Sequence, residues 1–384
     1  MKYLIILFVL LSFGVSGQDP LRETEVELMA GRVVPNYRNY PAMKFRSALL
    51  LNLGRKQSDK PYSALYNDPT TGLALSFSTT GNNELYGTEY SAFPYIILNS
   101  KSIMPRFYVK LGLGTSYFTN PYDELTNPEN RSIGSSFTWA FRAFLYRPIV
   151  TKNKIEYRLG FGAFHSSNAH VQLPNHGLNS AMFSFSTVFK STDRPAPPAD
   201  RQVDKTKYYF MSVYNGLGFH ELGGTDGGDI KEKKPIYSTT WTGGVIYRQF
   251  IKVRTGFSFR KYQHYYDFVS EGGYTYSDQA SWYSSNLYWL LGAEFIVGHV
   301  GLNAEAGINI FKPFFDEFYR VFEGRGKTDF ILKKLFPVTL GMNYYFLKPA
   351  NKPVNNFFVG ANIRANFGQA DYMDVVLGYS RLIR

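Results

Sequence analysis

FTWAFRAFL, residues 137–145, alternates without a break: Phe137, Trp139, Phe141, Ala143 and Leu145 fall on one face, with Thr138, Ala140 and Arg142 between them. A period of two marks a strand. The stretch 287–297 repeats the pattern, with Leu287, Trp289, Leu291, Ala293, Phe295 and Val297 on one face and Glu294 on the other. A charge that faces a barrel lumen is hydrated, whereas one that faces acyl chains costs several kcal/mol, so this division of faces suits a strand in a membrane.

Working outward, stretches of this kind recur near 22–34, 42–53, 71–80, 86–98, 104–119, 134–148, 154–166, 178–190, 207–220, 236–249, 252–262, 282–297, 299–311, 334–347, 355–367 and 372–383. No helical period of useful length competes with them. Their lengths fit a tilted membrane strand of about 9 to 11 residues better than a sandwich strand of about 5 or 6. The expectation is an all-β antiparallel transmembrane barrel of about 12 to 16 strands, forming a single domain over residues 18–384. Connection lengths agree with it. Outer-membrane barrels pair short periplasmic turns with long outer loops; here 99–103, 149–153, 250–251, 298 and 348–354 fall on one side, and 120–133, 167–177, 221–235, 263–281 and 312–333 on the other. Two connections on the short side break the rule, 54–70 and the Pro-rich 191–206.

Composition points the same way. Aromatic residues make up 17% of the 384 residues and charged residues 19%, and 34 glycines accompany 30 tyrosines and 33 phenylalanines, as aromatic girdles and tightly packed strands require. The absence of cysteine excludes a disulfide scaffold, a thiol nucleophile and a lipid-anchored N-terminus. Lys2, the apolar run 3–15 and Val15-Ser16-Gly17 read as a signal peptide cleaved after residue 17, which directs the chain to the outer membrane. The formal charge of +12 favours anionic partners. For an exported chain these are lipids rather than nucleic acid.

Chemistry concentrates in FGAFHSSNAHVQLPNHGLNSAMFSF, residues 161–185. Ile155, Tyr157, Leu159, Phe161 and Ala163 make one face apolar, and the same parity carries His165 and Ser167 outward toward lipid. Side chains at i and i+2 of a strand stand roughly 7 Å apart at Cα, within reach of an imidazole–hydroxyl contact. A serine is a poor nucleophile until a base takes its proton, and histidine titrates in the right range. Asn179 opens the next strand with the parity of Ala181, Phe183 and Phe185, so it too faces lipid, beside His165 across the hairpin. Asn168, next to the serine, has a side-chain amide suited to an oxyanion; as a plain alternative it caps the loop.

At this segment the sequence resembles the outer-membrane lipid A 3-O-deacylase (PagL-type) family, also called acyloxyacyl hydrolases. The resemblance lies in His165, Ser167, Asn168, Ala169, Pro174, Asn175 and Gly177, and extends to YGTEYSAFPYI (86–96), FYVKLGLGTSYFT (107–119) and NPENRSIGS (127–135), which look similar to longer Bacteroidetes-type members. It is best over about 70–190. The resemblance implies hydrolysis of an ester-linked acyl chain of lipopolysaccharide, with Ser167 as nucleophile and His165 as base, and with no metal or organic cofactor. The family's third member is acidic where this chain has Asn179. An amide oxygen orients an imidazole but does not stabilise an imidazolium as a carboxylate does. His170 and His176, in the same loop, read either as contacts for lipid phosphates or as solvated surface residues. A non-enzymatic barrel, channel or structural, is the alternative function, and oligomeric state is unreadable.

Overall fold

A computed structural model of the chain describes residues 21–60, 62–99, 106–191, 206–223, 225–226, 232–271, 277–318 and 327–383. The expected signal peptide lies outside these residues. Among them are sixteen strands: β1 Arg22–Val33, β2 Arg46–Lys56, β3 Thr70–Thr79, β4 Thr88–Asn99, β5 Tyr108–Phe118, β6 Phe137–Lys152, β7 Ile155–Ser167, β8 Leu178–Lys190, β9 Lys207–Glu221, β10 Lys233–Tyr247, β11 Ile251–Tyr262, β12 Ser285–Val297, β13 Val300–Phe311, β14 Pro337–Tyr345, β15 Asn355–Asn366 and β16 Gln369–Ile383. Each matches one expected strand, with ends shifted by a few residues. Among the described residues no helix is long and apolar enough to cross a membrane.

The sixteen strands do not share one closure. β1 to β8 form a closed antiparallel barrel and β9 to β16 form another. The first closes where Leu28 pairs with Phe185, the second where Val376 pairs with Gly216. The single barrel expected from the sequence is thus replaced by two of eight strands, and the chain divides into two compact units accordingly. Period-two alternation is identical in both arrangements, so it carries no information about which strands meet at the seam. Both exceptional connections now have a place. The segment 191–206 joins one barrel to the next, and 57–69 carries the short helix Ser63–Tyr66.

Alternation sorts residues as expected. In β6, Phe137 and Phe141 are exposed while Thr138 and Arg142 are buried; in β12, Trp289, Leu291 and Phe295 are exposed and Glu294 is buried. An eight-stranded barrel is just wide enough inside for side chains, and large polar ones fill both lumens. In the first, Glu27 accepts from Arg142 Nη2 at 2.5 Å, Ser184 Oγ at 2.5 Å, Asn52 Nδ2 at 3.1 Å and the Tyr146 hydroxyl, while Lys110 Nζ lies 2.6 Å from Glu25. In the second, Arg254 spans Glu294 at 2.9 Å and Glu305 at 2.7 Å, and Arg364 pairs with Asp374 at 3.0 Å. Charges taken out of water require such partners. This filling argues against the channel alternative, which needs an open lumen.

Candidate active site

Strand β7 carries His165 and Ser167 on its outward face with Leu159 and Phe161, while Glu156, Arg158, Phe164 and Ser166 point into the lumen. β8 returns antiparallel, and its register sets Asn179 directly opposite His165. His165 Nδ1 lies 2.6 Å from Asn179 Oδ1. An amide oxygen only accepts, so Nδ1 carries the proton and Nε2 keeps the lone pair. That is the tautomer a general base needs.

The turn between β7 and β8 comes close to both His165 and Ser167. Gly177 has a φ of +72°, and an atom at its Cβ position would lie 2.9 Å from His165 Cε1 and 3.3 Å from Ser167 Cβ. One point thus sits between imidazole and serine, and only a residue without a side chain leaves it empty. Gly177 is held from behind: its N–H donates to Ser132 O at 2.9 Å, and the Ser132 hydroxyl meets those of Tyr40 and Tyr86 at 3.3 and 3.4 Å. Burial raises both phenols above their ordinary range, which keeps them neutral hydrogen-bonding groups. From the β1–β2 connection, Asn36 Nδ2 donates to His176 O at 2.6 Å, and Val34 N–H donates to Asn179 O at 2.8 Å.

Asn168 follows Ser167 and is buried; its Nδ2 donates to Ser135 Oγ at 3.1 Å. The structure therefore brings His165 and Asn179 into direct contact, sets Ser167 beside them on the same wall, and turns the Asn168 amide toward Ser135. Residues 169–175 group with the second unit. There His170, which the sequence left between phosphate contact and solvated surface, is buried with Nε2 3.3 Å from Gly223 O.

Outside the site the wall of the first barrel is apolar. Phe141, Leu159, Phe161, Phe183 and Phe185 are all exposed, and Phe161 and Phe183 pack ring to ring at 5.0 Å. One row below His165 and Asn179, Ala143, Ala163 and Ala181 lie side by side across β6, β7 and β8. The sequence reading missed what stands behind this wall. Ser166 and Ser180, both facing inward, are hydrogen-bonded to Glu89 and Arg46; the available signal was a lone glutamate at an inward position of 86–96.

The family model for lipid A 3-O-deacylase (PagL) matches residues 53–187, a span that runs from β2 to β8. Among solved structures, the outer membrane enzyme PagL is similar at 16% identity over 42% of this chain and 97% of that one, with a TM-score of 0.31. The outer membrane protein OpdK from Pseudomonas aeruginosa is similar at 8% identity over 94% and 98%, with a TM-score of 0.22. No curated protein matches the chain.

Proposed function

We propose that the chain is a PagL-type deacylase through its first barrel, the part that the family model matches, and that it hydrolyses an ester-linked hydroxyacyl chain of lipid A at the outer rim of the outer membrane. The observation that carries this reading is the 2.6 Å contact of Asn179 with His165 on the lipid-facing wall, with Ser167 two residues along the same face. Acyl chains run down the aromatic outer wall while the ester stands at the level of Ser167.

In this scheme Ser167 Oγ attacks the ester carbonyl as His165 Nε2 takes its proton. Negative charge gathers on the carbonyl oxygen, and we assign its stabilisation to the amide of Asn168, the residue after Ser167, which has a second N–H besides the one directed at Ser135. The tetrahedral intermediate collapses, the carbon–oxygen bond to the sugar breaks, and the imidazolium returns its proton to the leaving sugar hydroxyl. Water, activated by the same imidazole, then releases the fatty acid and regenerates Ser167. Asn179 holds the imidazole through Nδ1–H during both halves, but as a neutral amide it gives the imidazolium less support than a carboxylate. The reaction needs neither metal nor organic cofactor. Export by cleavage after residue 17 delivers the chain to this membrane, and lipopolysaccharide is its partner there.

The test compares lipid A masses from membranes that express the wild type and Ser167→Ala. Loss of one hydroxyacyl group with the wild type alone is expected, and the variant should lose at least about a thousand-fold in rate. Identical spectra would leave a scaffold without this activity.

A further inference from the structure

Glu89 of β4 and Arg46 of β2 form an ion pair that is fully buried in the lumen of the first barrel. Its contacts reach β5, β7 and β8, besides Ser91 on β4 itself. Glu89 Oε1 accepts from Ser166 Oγ at 2.7 Å and from Ser116 Oγ at 2.7 Å. Arg46 Nη1 donates to Ser180 Oγ at 2.7 Å, and the guanidinium lies over the Phe164 ring at 4.9 Å. Phe164, Ser166 and Ser180 are the inward residues that bracket the outward His165, Ser167 and Asn179 along the chain. One ion pair therefore holds the reverse side of all three.

We propose that the Arg46–Glu89 pair is a positioning device: by pinning Ser166, Phe164 and Ser180 it fixes how far β7 and β8 are rotated about their own axes, and thereby the angle at which His165 meets Ser167. The inference rests on the reading that these two residues carry an esterase. In a strand, successive side chains point to opposite faces, so a twist that lets Ser166 swing from Glu89 turns His165 and Ser167 by the same amount on the outside. Displacement of a reacting group by about 1 Å costs roughly a hundred-fold in rate. The other lumen cluster, around Glu27, has no such address. Its serine, Ser184, lies lower on β8 and flanks Phe183 and Phe185, which belong to the apolar wall.

The experiment uses Ser166→Ala in the full chain, with Ser184→Ala as a matched serine loss in the same lumen. Folding is checked by the migration of unheated samples in detergent gels. Ser166→Ala is expected to lower kcat for lipid A deacylation about ten-fold with KM unchanged, and Ser184→Ala to leave both as they are. Glu89→Gln, which keeps an acceptor for Ser166, should retain more activity than Glu89→Ala. A second measurement does not depend on turnover. Nitrogen NMR of the His165 ring should show a single Nδ1–H tautomer in the wild type and in Ser184→Ala, and averaging between tautomers in Ser166→Ala. Equal kcat and equal ring spectra for the two serine variants would overturn the positioning role. A wild type that cleaves no lipid A, with the tautomer still disturbed by Ser166→Ala alone, would sink the esterase reading and leave the clamp standing.

Discussion

The two barrels of this chain are built alike inside and differ outside. Each closes eight antiparallel strands around a lumen filled by arginine, lysine and carboxylate side chains. Outside, the second presents Trp241, Phe257, Trp289, Leu291 and Leu377, and among its described strand residues no histidine faces outward: His220 is buried. The second wall has an outward hydroxyl and amide in Thr239 and Asn215, but among the described strand residues only the first adds an imidazole to them, in His165 beside Ser167 and Asn179. The lesson is that the interior charge network belongs to the architecture. The outward polar residues, which the architecture does not need and which lipid disfavours, are the ones to read as function.

The sharpest break of that comparison comes from the interiors. Removing one member of a buried pair leaves the other charge stranded, at about 3 to 5 kcal/mol. Glu294→Ala should therefore open the second barrel and Glu27→Ala the first. Limited proteolysis with mass identification should then show that strands of 207–383 lose protection in one variant and strands of 22–190 in the other; loss of both together would mean that the two closures are not separate units of stability. Gly177→Ala comes next. Its methyl group would meet His165 Cε1 at 2.9 Å in a left-handed backbone conformation, so kcat should fall by about ten-fold to a hundred-fold, while protection of both barrels stays near that of the wild type.

A gain is expected from Asn179→Asp. The substitution keeps the reach to Nδ1 and adds a charge that stabilises the imidazolium, and kcat should rise roughly ten-fold; no change would mean that proton transfer does not limit turnover. The smallest effect belongs to an ion pair outside either lumen. Arg55 holds the Asp59 carboxyl at about 2 through its hydrogen bond. Because this value is depressed, the stabilisation is present above the ordinary carboxylate range and is lost as pH falls toward 2. The pair is more than a third exposed on the Asp59 side and screened by solvent, so Asp59→Asn should change stability at pH 7 by less than about 1 kcal/mol. Thermal unfolding at pH 7 and pH 2 measures it.

Much of this was legible in the sequence. Strand positions followed from alternation, because lipid on one side and a polar lumen on the other impose a strict period. The outward parity of His165, Ser167 and Asn179 followed from the same rule, and the hairpin supplied the cross-strand neighbour. What alternation cannot express is long-range pairing. Nothing local to β1 says whether Leu28 will meet Phe185 or a strand near the C-terminus, and the irregular 191–206 marked the boundary without naming it. The Glu89–Arg46 strut was hidden for a related reason: residues 43 positions apart meet across the intervening β3, and alternation does not say which inward residues of β2 and β4 stand at the same height.

Closure of β1 on β8 also sets a timetable. The seam at Leu28 and Phe185 is complete as soon as the eighth strand has arrived, with just over half of the chain still to come. Neither set of eight strands needs a strand of the other to pair its edges, whereas a ring of sixteen leaves two edges open until its last strand has arrived.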